Sequence, residues 1–425
     1  MNFTSLSMFV TLSAFLSSIG CSGADAPSEA NSVSENGGAD SVLDLARWRF
    51  RTGGTRSTGG SRATGGSTST GGSKPTGGSV ATGGTRATGG SPPTGGSNPT
   101  GGSATVLVTD LLHTEGNKIL HANGARFHGR GANIFDTRQC GSCAWQVPHV
   151  DEVIRRVDEL VDKWHANFMR FDLVSYASAN YNGMTLQQWG DVTQDPNYLA
   201  DLQKIVAHVG TKPGVYILIT LFSHPSMDSF ELPTAATMPV YKKLSDTFKN
   251  SPQVLYGVTN EPHGTTDGAV WTAMNNAVDA IRSMEPASGP HHVISVQGTQ
   301  SYSRTLTYYV THPITAGGGV NIVYETHAYN PPAEWQALFI DPAKTLPVII
   351  GEFGPDGTYM TLPTAQQLMP QAESIEVPYI GWSFSPECAP GMIQYVDNVT
   401  DCGVGAPLTP SAWGNAIISQ FAKPW

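Results

Sequence analysis

Hydrophobic positions in this chain come in short continuous runs, separated by stretches where they recur every three or four residues. The runs are RFHGRGANIF (126–135), NFMRFDL (167–173), GVYILITLF (214–222), VLYGVTN (254–260), HHVISVQ (291–297), VNIVYETHAY (320–329), LPVIIGEF (346–353) and PYIGWSF (378–384). Continuous rather than alternating apolar character predicts strands covered on both faces. Between them, Val150, Val153, Ile154, Val157, Leu160, Val161 and Trp164 form one helical stripe. Helices are also predicted over 199–209, 269–284 and 410–421. Strand and helix alternating eight times imply parallel pairing with right-handed crossovers. Eight such units predict an α/β fold closed into a (β/α)8 TIM barrel, with a doubly wound sheet as the alternative. That alternative lacks the glycine-rich phosphate turn after its first strand.

In such a barrel the chemistry gathers where the strands end. Arg170 lies in the second run, and His224 follows the third. Asn260 and Glu261 end the fourth, His327 and Tyr329 the sixth, and Glu352 the seventh, while Trp382 lies in the eighth. A carboxylate closing an apolar strand is expensive unless the strand opens onto a shared mouth, and barrel closure supplies one. Two carboxylates with Arg, His, Tyr and Asn around them form a glycosidase arrangement: one acid protonates the leaving oxygen, and the other carboxylate attacks or activates water. Arg170 is expected to keep one carboxylate ionised, and a less charged surround to keep the other protonated. Asp172 and Glu325 read as buried partners. Trp145 and Trp189 lie in loops at the active face, where either could line a sugar subsite, while Trp271 and Trp335 read as packing. His263, one position past Pro262, could support the acid.

Upstream the pattern changes character. Thr-Gly-Gly recurs every six residues at 52, 58, 64, 70, 76, 82, 88, 94 and 100, with almost no apolar side chain between. This composition describes a flexible tether spanning on the order of 40 Å. Residues 52–103 are therefore a linker, 22–51 a disordered N-terminal region, and 104–425 a catalytic-sized domain of about 320 residues, inside the range of a decorated barrel. The stretch FVTLSAFLSSIGC has the length of a signal segment, which assigns 1–21 to export. Its Ser-Ile-Gly-Cys end resembles a bacterial lipobox, in which Cys21 would carry the lipid; a plain secretory peptide cut near Cys21 or Ala24 is the alternative. A secreted or cell-surface protein follows from either.

The net charge is −10, which argues against nucleic acid as a partner. Charged residues are 14% of the chain, below the roughly 25% usual for soluble domains, because the tether dilutes them. Setting Cys21 aside leaves Cys140, Cys143, Cys388 and Cys402, an even count that suggests two disulfides in an exported chain. Cys140–Cys143 with Cys388–Cys402 is the simplest of three pairings. A monomer with no metal and no cofactor is expected, since HExxH, P-loop and dinucleotide motifs are missing.

VTNEPHG and VIIGEFG resemble the two active-site strands of glycoside hydrolase family 5, the cellulase family of retaining barrel glycosidases. NEP is followed about 90 residues later by GEFG, with His-x-Tyr between and Gly-Trp after. The family's chain order of Arg, His, Asn, Glu, His, Tyr, Glu and Trp is matched by Arg170, His224, Asn260, Glu261, His327, Tyr329, Glu352 and Trp382. The resemblance implies Glu261 as acid/base and Glu352 as nucleophile. Arg170 and Tyr329 would bond Glu352, lowering its pKa. Asn260 would meet the sugar 2-hydroxyl, His327 would set the protonation of Glu261, His224 would touch the sugar and Trp382 would floor it. The implied activity is endo-acting hydrolysis of a polysaccharide, β-1,4-glucan first, with β-mannan or another β-glucan as alternatives. From other classes, a non-catalytic carbohydrate-binding barrel and a wall-binding lipoprotein with the tether as its working part remain to be tested.

Overall fold

A computed structural model describes residues 110–138, 148–173, 180–181, 184–185, 190–386, 388–396 and 403–425. The predicted barrel is closed. Its strands are β3 (Arg130–Phe135), β4 (Phe168–Asp172), β7 (Tyr216–Thr220), β8 (Val254–Gly257), β9 (Ile294–Gln297), β10 (Ile322–His327), β11 (Val348–Glu352) and β12 (Tyr379–Gly381). Each pairs parallel with its neighbour, and β12 returns to β3. All eight fall inside the apolar runs. Two short antiparallel pairs stand outside the barrel: β1 (His113–Glu115) with β2 (Lys118–Leu120), and β5 (Asn180–Tyr181) with β6 (Met184–Thr185).

The expected helices are present with shifted ends. The first stripe becomes α1 (Val150–Asp158), which continues as a π-helical turn over Glu159–Lys163 and ends at Trp164. Trp164 is buried edge-on against Phe384. The helix α2 (Pro196–Val209) starts three residues before the predicted stripe, because Asp195 caps it by accepting from the N–H groups of Asn197 and Tyr198. Then come α3 (Met238–Phe248), α4 (Asp267–Arg282), α5 (Thr307–Thr311), α6 (Leu362–Ser374) and α7 (Ala412–Phe421). Thr266, Thr361 and Ser411 cap α4, α6 and α7 in the same way.

Two layers fill the barrel. The lower layer is apolar: Phe168, Tyr216, Leu218, Leu255, Val323, Ile349 and Ile380 pack together with Leu112, Ile119 and Phe127. Ile119 lies on β2, so the small hairpin and its flanks stop the bottom of the barrel. Two residues further along each strand, the same face carries Arg170 above Phe168, Thr220 above Leu218 and Glu325 above Val323. The interior thus changes from apolar to polar on going toward the C-terminal ends of the strands.

Candidate active site

Arg170 is wholly buried at the centre of the polar layer. Its Nη1 lies 3.0 Å from Asp172 Oδ1, 2.9 Å from Glu352 Oε1 and 3.0 Å from Asn133 Oδ1. Its Nη2 donates to Asn260 Oδ1 at 2.8 Å. Its Nε is 3.0 Å from Glu325 Oε1, close enough for an ion pair but out of line for a hydrogen bond. One guanidinium therefore reaches groups from β3, β4, β10, β11 and the segment after β8. Burial alone would pull the arginine pKa down, but Asp172, Glu325 and Glu352 outweigh it and raise it.

A bulge brings the carboxylates to this centre. Thr326 on β10 pairs with Ile350, yet His327 pairs with Glu352, so Gly351 is the extra residue. Strand parity would turn Glu352 away from the interior, and the bulge turns it back. Only glycine fits there, because a Cβ on Gly351 would sit 2.0 Å from Glu325 Oε1. On the other side of the mouth, Glu261 has a left-handed backbone, φ +47°. Its Oε1 lies 2.8 Å from His327 Nδ1, and the same nitrogen is 3.6 Å from Glu352 Oε1. His327 Nε2 lies 3.1 Å from Glu325 Oε1. Tyr329 donates its hydroxyl to Glu352 Oε2 at 3.2 Å. One ligand atom each from Glu261, His327 and Glu352 fall within 4.8 Å of one another.

The electrostatics follow from burial and from who faces whom. Burial alone would raise Glu325, but Arg170, His327 and Ser295 hold it down to about 2. Burial alone would depress His327, but Glu352, Glu261 and Glu325 raise it to about 10. The imidazole is therefore held as a cation between carboxylates on both of its ring nitrogens. Burial pushes Asp172 well up, against Arg170. Burial also pushes the Tyr329 phenol up, so it stays a donor. Glu352 corrects an expectation. Arg170 and Tyr329 do bond it, yet burial first, aided by the charges of Glu261 and Glu325, carries it up to about 7 against His327 and Arg170. Both oxygens of Glu352 already receive donors, which favours its ionised form and opposes the burial that raises it.

Trp382, just past β12, is buried, stacked on Phe222 with ring centroids 5.8 Å apart and edge-on to Phe135 at 5.4 Å. Trp413 donates Nε1 to its carbonyl. The third strand departs from the expectation for His224. Phe222, two residues earlier, is the side chain that lies under Arg170, 5.5 Å from guanidinium carbon to ring centre. His224 instead sits 3.2 Å from Asp191 Oδ2 and accepts from the N–H of Ser226. It lines a cavity of about 300 Å³ with Asp191, Thr193, Gln194 and Ser226. His224 follows the end of β7, and its ring faces Asp191, four residues before the α2 cap at Asp195. In the sequence Phe222 carries no functional mark, because a phenylalanine closing an apolar run looks like core.

Trp335 is buried and donates Nε1 to the Asn330 carbonyl, and Trp271 donates to the Pro313 carbonyl. His263 has its Nδ1 3.0 Å from the Glu261 carbonyl oxygen. Cys388 is disulfide-bonded. Cys140, Cys143, Cys402, Cys21, Trp145 and Trp189 lie outside the described residues, and so do the tether and the N-terminal segment.

A closed eight-stranded parallel barrel with paired carboxylates at its C-terminal mouth defines a (β/α)8 glycoside hydrolase. The profile of the cellulase family, glycosyl hydrolase family 5, matches residues 120–387. The chain belongs to that family. It is 29% identical over 178 residues to a mannan endo-1,4-beta-mannosidase of Streptomyces lividans, covering 39% of this chain and 43% of that protein. It is 27% identical over 202 residues to endoglucanase A of Butyrivibrio fibrisolvens, covering 47% and 43%. The chain thus spans less than half the length of either relative. Among solved structures, the catalytic domain of a Thermobifida fusca endoglucanase superposes with TM-score 0.57 at 19% identity, covering 73% of this chain and 97% of that one. A beta-glucanase of Saccharophagus degradans gives 0.53 at 21% identity, covering 76% and 97%. These two likenesses speak for the fold.

Proposed function

We propose that residues 104–425 hydrolyse the backbone of a β-1,4-linked polysaccharide in an endo-acting, retaining double displacement. The observation that carries this reading is the carboxylate spacing. One oxygen of Glu261 and one of Glu352 lie within 4.8 Å of each other. That is nearer the about 5–5.5 Å of retaining enzymes than the about 6.5–9.5 Å of inverting ones. Glu352 Oε attacks the anomeric carbon while Glu261 gives its proton to the leaving oxygen. A water then attacks the glycosyl ester, and Glu261 takes the water's proton as the Glu352–carbon bond breaks. Arg170 and Tyr329 hold the nucleophile's rotamer. Asn260 has its oxygen tied to Arg170, so its Nδ2 is the group to donate to the sugar 2-hydroxyl. Trp382 offers an apolar face to the sugar.

Glucan is the first candidate and mannan the second, the latter supported by the mannanase likeness. Glucose and mannose differ in the orientation of the hydroxyl that Asn260 would meet. Product anomers from a panel of pure polysaccharides, read by proton NMR within the first minutes, test the reading. Retention with internal cleavage supports it, and inverted products would end it. Export through 1–21, a lipid on Cys21, the 52–103 tether and a monomeric state complete the proposal.

A pH prediction follows from the nucleophile. Burial carries Glu352 up to about 7. Below that pH its carboxylate is protonated and cannot attack, so kcat/KM should fall about tenfold per unit as the pH drops from about 7. His327 stays charged to about 10 and does not set this limb. A kcat/KM profile flat from pH 7 down to pH 5 would contradict it.

A further inference from the structure

The acid side of the mouth rests on a side chain that the reaction does not use. Gln297 closes β9 and is 1% exposed. Its Oε1 accepts from the backbone N–H of Glu261 at 3.4 Å and from the Ser303 hydroxyl. The Ser303 carbonyl accepts the backbone N–H of His327 at 3.3 Å, and His327 Nδ1 bonds the Glu261 carboxyl. The bonds close a circuit that fixes both the main chain and the side chain of Glu261.

Strain lies on both sides of this circuit. Glu261 has φ +47°, and Gln300, Ser301, Tyr302 and Ser303 follow one another at +55°, +32°, +64° and +61°. L-residues avoid this region, and four non-glycines in succession are held there only by their surroundings. Thr299 and Thr305 pinch the turn with two backbone bonds, and the Tyr302 ring stacks on His263 at 4.6 Å. Gly298 leaves no room for a side chain, since its Cβ would lie 2.5 Å from the Ser303 oxygen. The turn is thus built to deliver Ser303 to Gln297. Meanwhile Gln297 Nε2 is buried with no acceptor among the described residues. A buried unpaired donor costs stability, and methionine of similar length would not carry one. Glutamine is a poor choice here for stability and a good one for setting an acceptor under Glu261.

We propose that Gln297 is a positioning residue for the general acid, with Ser303 orienting its amide. This rests on the assignment of Glu261 as acid/base. The test compares Gln297→Met, Ser303→Ala, the double variant and Glu261→Ala on two substrates. One is the polysaccharide, whose leaving group needs a proton. The other is a dinitrophenyl β-disaccharide of the same sugar, whose leaving group does not. Gln297→Met should lower kcat on polysaccharide about 10- to 100-fold with KM little changed. Its kcat/KM on the aryl glycoside should change less than about twofold, because forming the glycosyl enzyme then needs no acid. Ser303→Ala should show the same selectivity with a smaller loss, and the double variant should lose little more than Gln297→Met alone. Equal losses on both substrates, a change in KM only, or additive losses would overturn the proposal. If Gln297→Met does not fold, Ser303→Ala decides by the same selectivity. Glu261→Ala losing both substrates equally would instead overturn the acid/base assignment on which the proposal stands.

Discussion

Glu352→Gln should cut turnover of polysaccharide by about 10⁴-fold or more, while the protein stays folded and still binds its substrate. The amide has the same shape as the carboxylate. Its oxygen can take the Arg170 bond now made at 2.9 Å, and its NH2 can donate to the Tyr329 oxygen, which accepts as readily as it donates. What disappears is the nucleophile, and with it the covalent step. The charge that most raises His327 also disappears, so its pKa should fall from about 10 toward its usual value. Activity on purified polysaccharide, isothermal titration with an oligosaccharide and thermal melting measure the three parts. Residual activity above about one per cent would place the nucleophile elsewhere. No turnover by the wild type either would favour the non-catalytic carbohydrate-binding alternative. Mass spectrometry of enzyme treated with a fluorosugar gives the converse test, a glycosyl adduct on the peptide holding Glu352.

The barrel could be read from the chain because burial on both faces writes each strand as an unbroken apolar run, and the tether between repeats carries no such run. The ends were harder. The first run begins at Arg126, but the strand begins at Arg130, since residues before it close the floor of the barrel. Glu261, Glu352 and Arg170 stood out because a charge inside an apolar run has few inexpensive explanations. Three features carry no such mark. The bulge at Gly351 concerns the register between β10 and β11, and one chain's periodicity holds no information on register. Gln297 is neutral, so it ends VISVQ without advertising a cost. Phe222 and His224 both follow the end of β7 at Thr220, and a two-residue offset there exchanges a side chain against Arg170 for one against Asp191. The raised Glu352 pKa was out of reach for a different reason. It is the sum of burial and four charges of both signs, and the sign of that sum depends on distances.

Arg170→Leu should be the most destabilising single change in the mouth, because it leaves carboxylates without their common cation. Breaking a buried ion pair by removing one partner costs about 3–5 kcal/mol. For a domain of this size that is on the order of 10 °C in Tm. The loss should depend on pH in a defined direction. In the wild type Glu325 is held at about 2, below its ordinary 4.5. A carboxylate depressed in the folded state contributes stability that is fully present above its unfolded pKa and is lost as pH falls through the folded value. Without Arg170, burial acts on Glu325 and Glu352 with less opposition, so the folded pKa of Glu325 rises above its unfolded one and that of Glu352, already about 7, rises further. Folding then takes up protons, and the variant becomes less stable as pH rises through that window. The gap between wild type and variant should therefore be widest near pH 7.5 and should narrow toward pH 5. Urea denaturation at the two values measures it. A gap of equal size at both would mean that Arg170 supports the barrel through packing on Phe222 and the strands around it, not through the charges it faces.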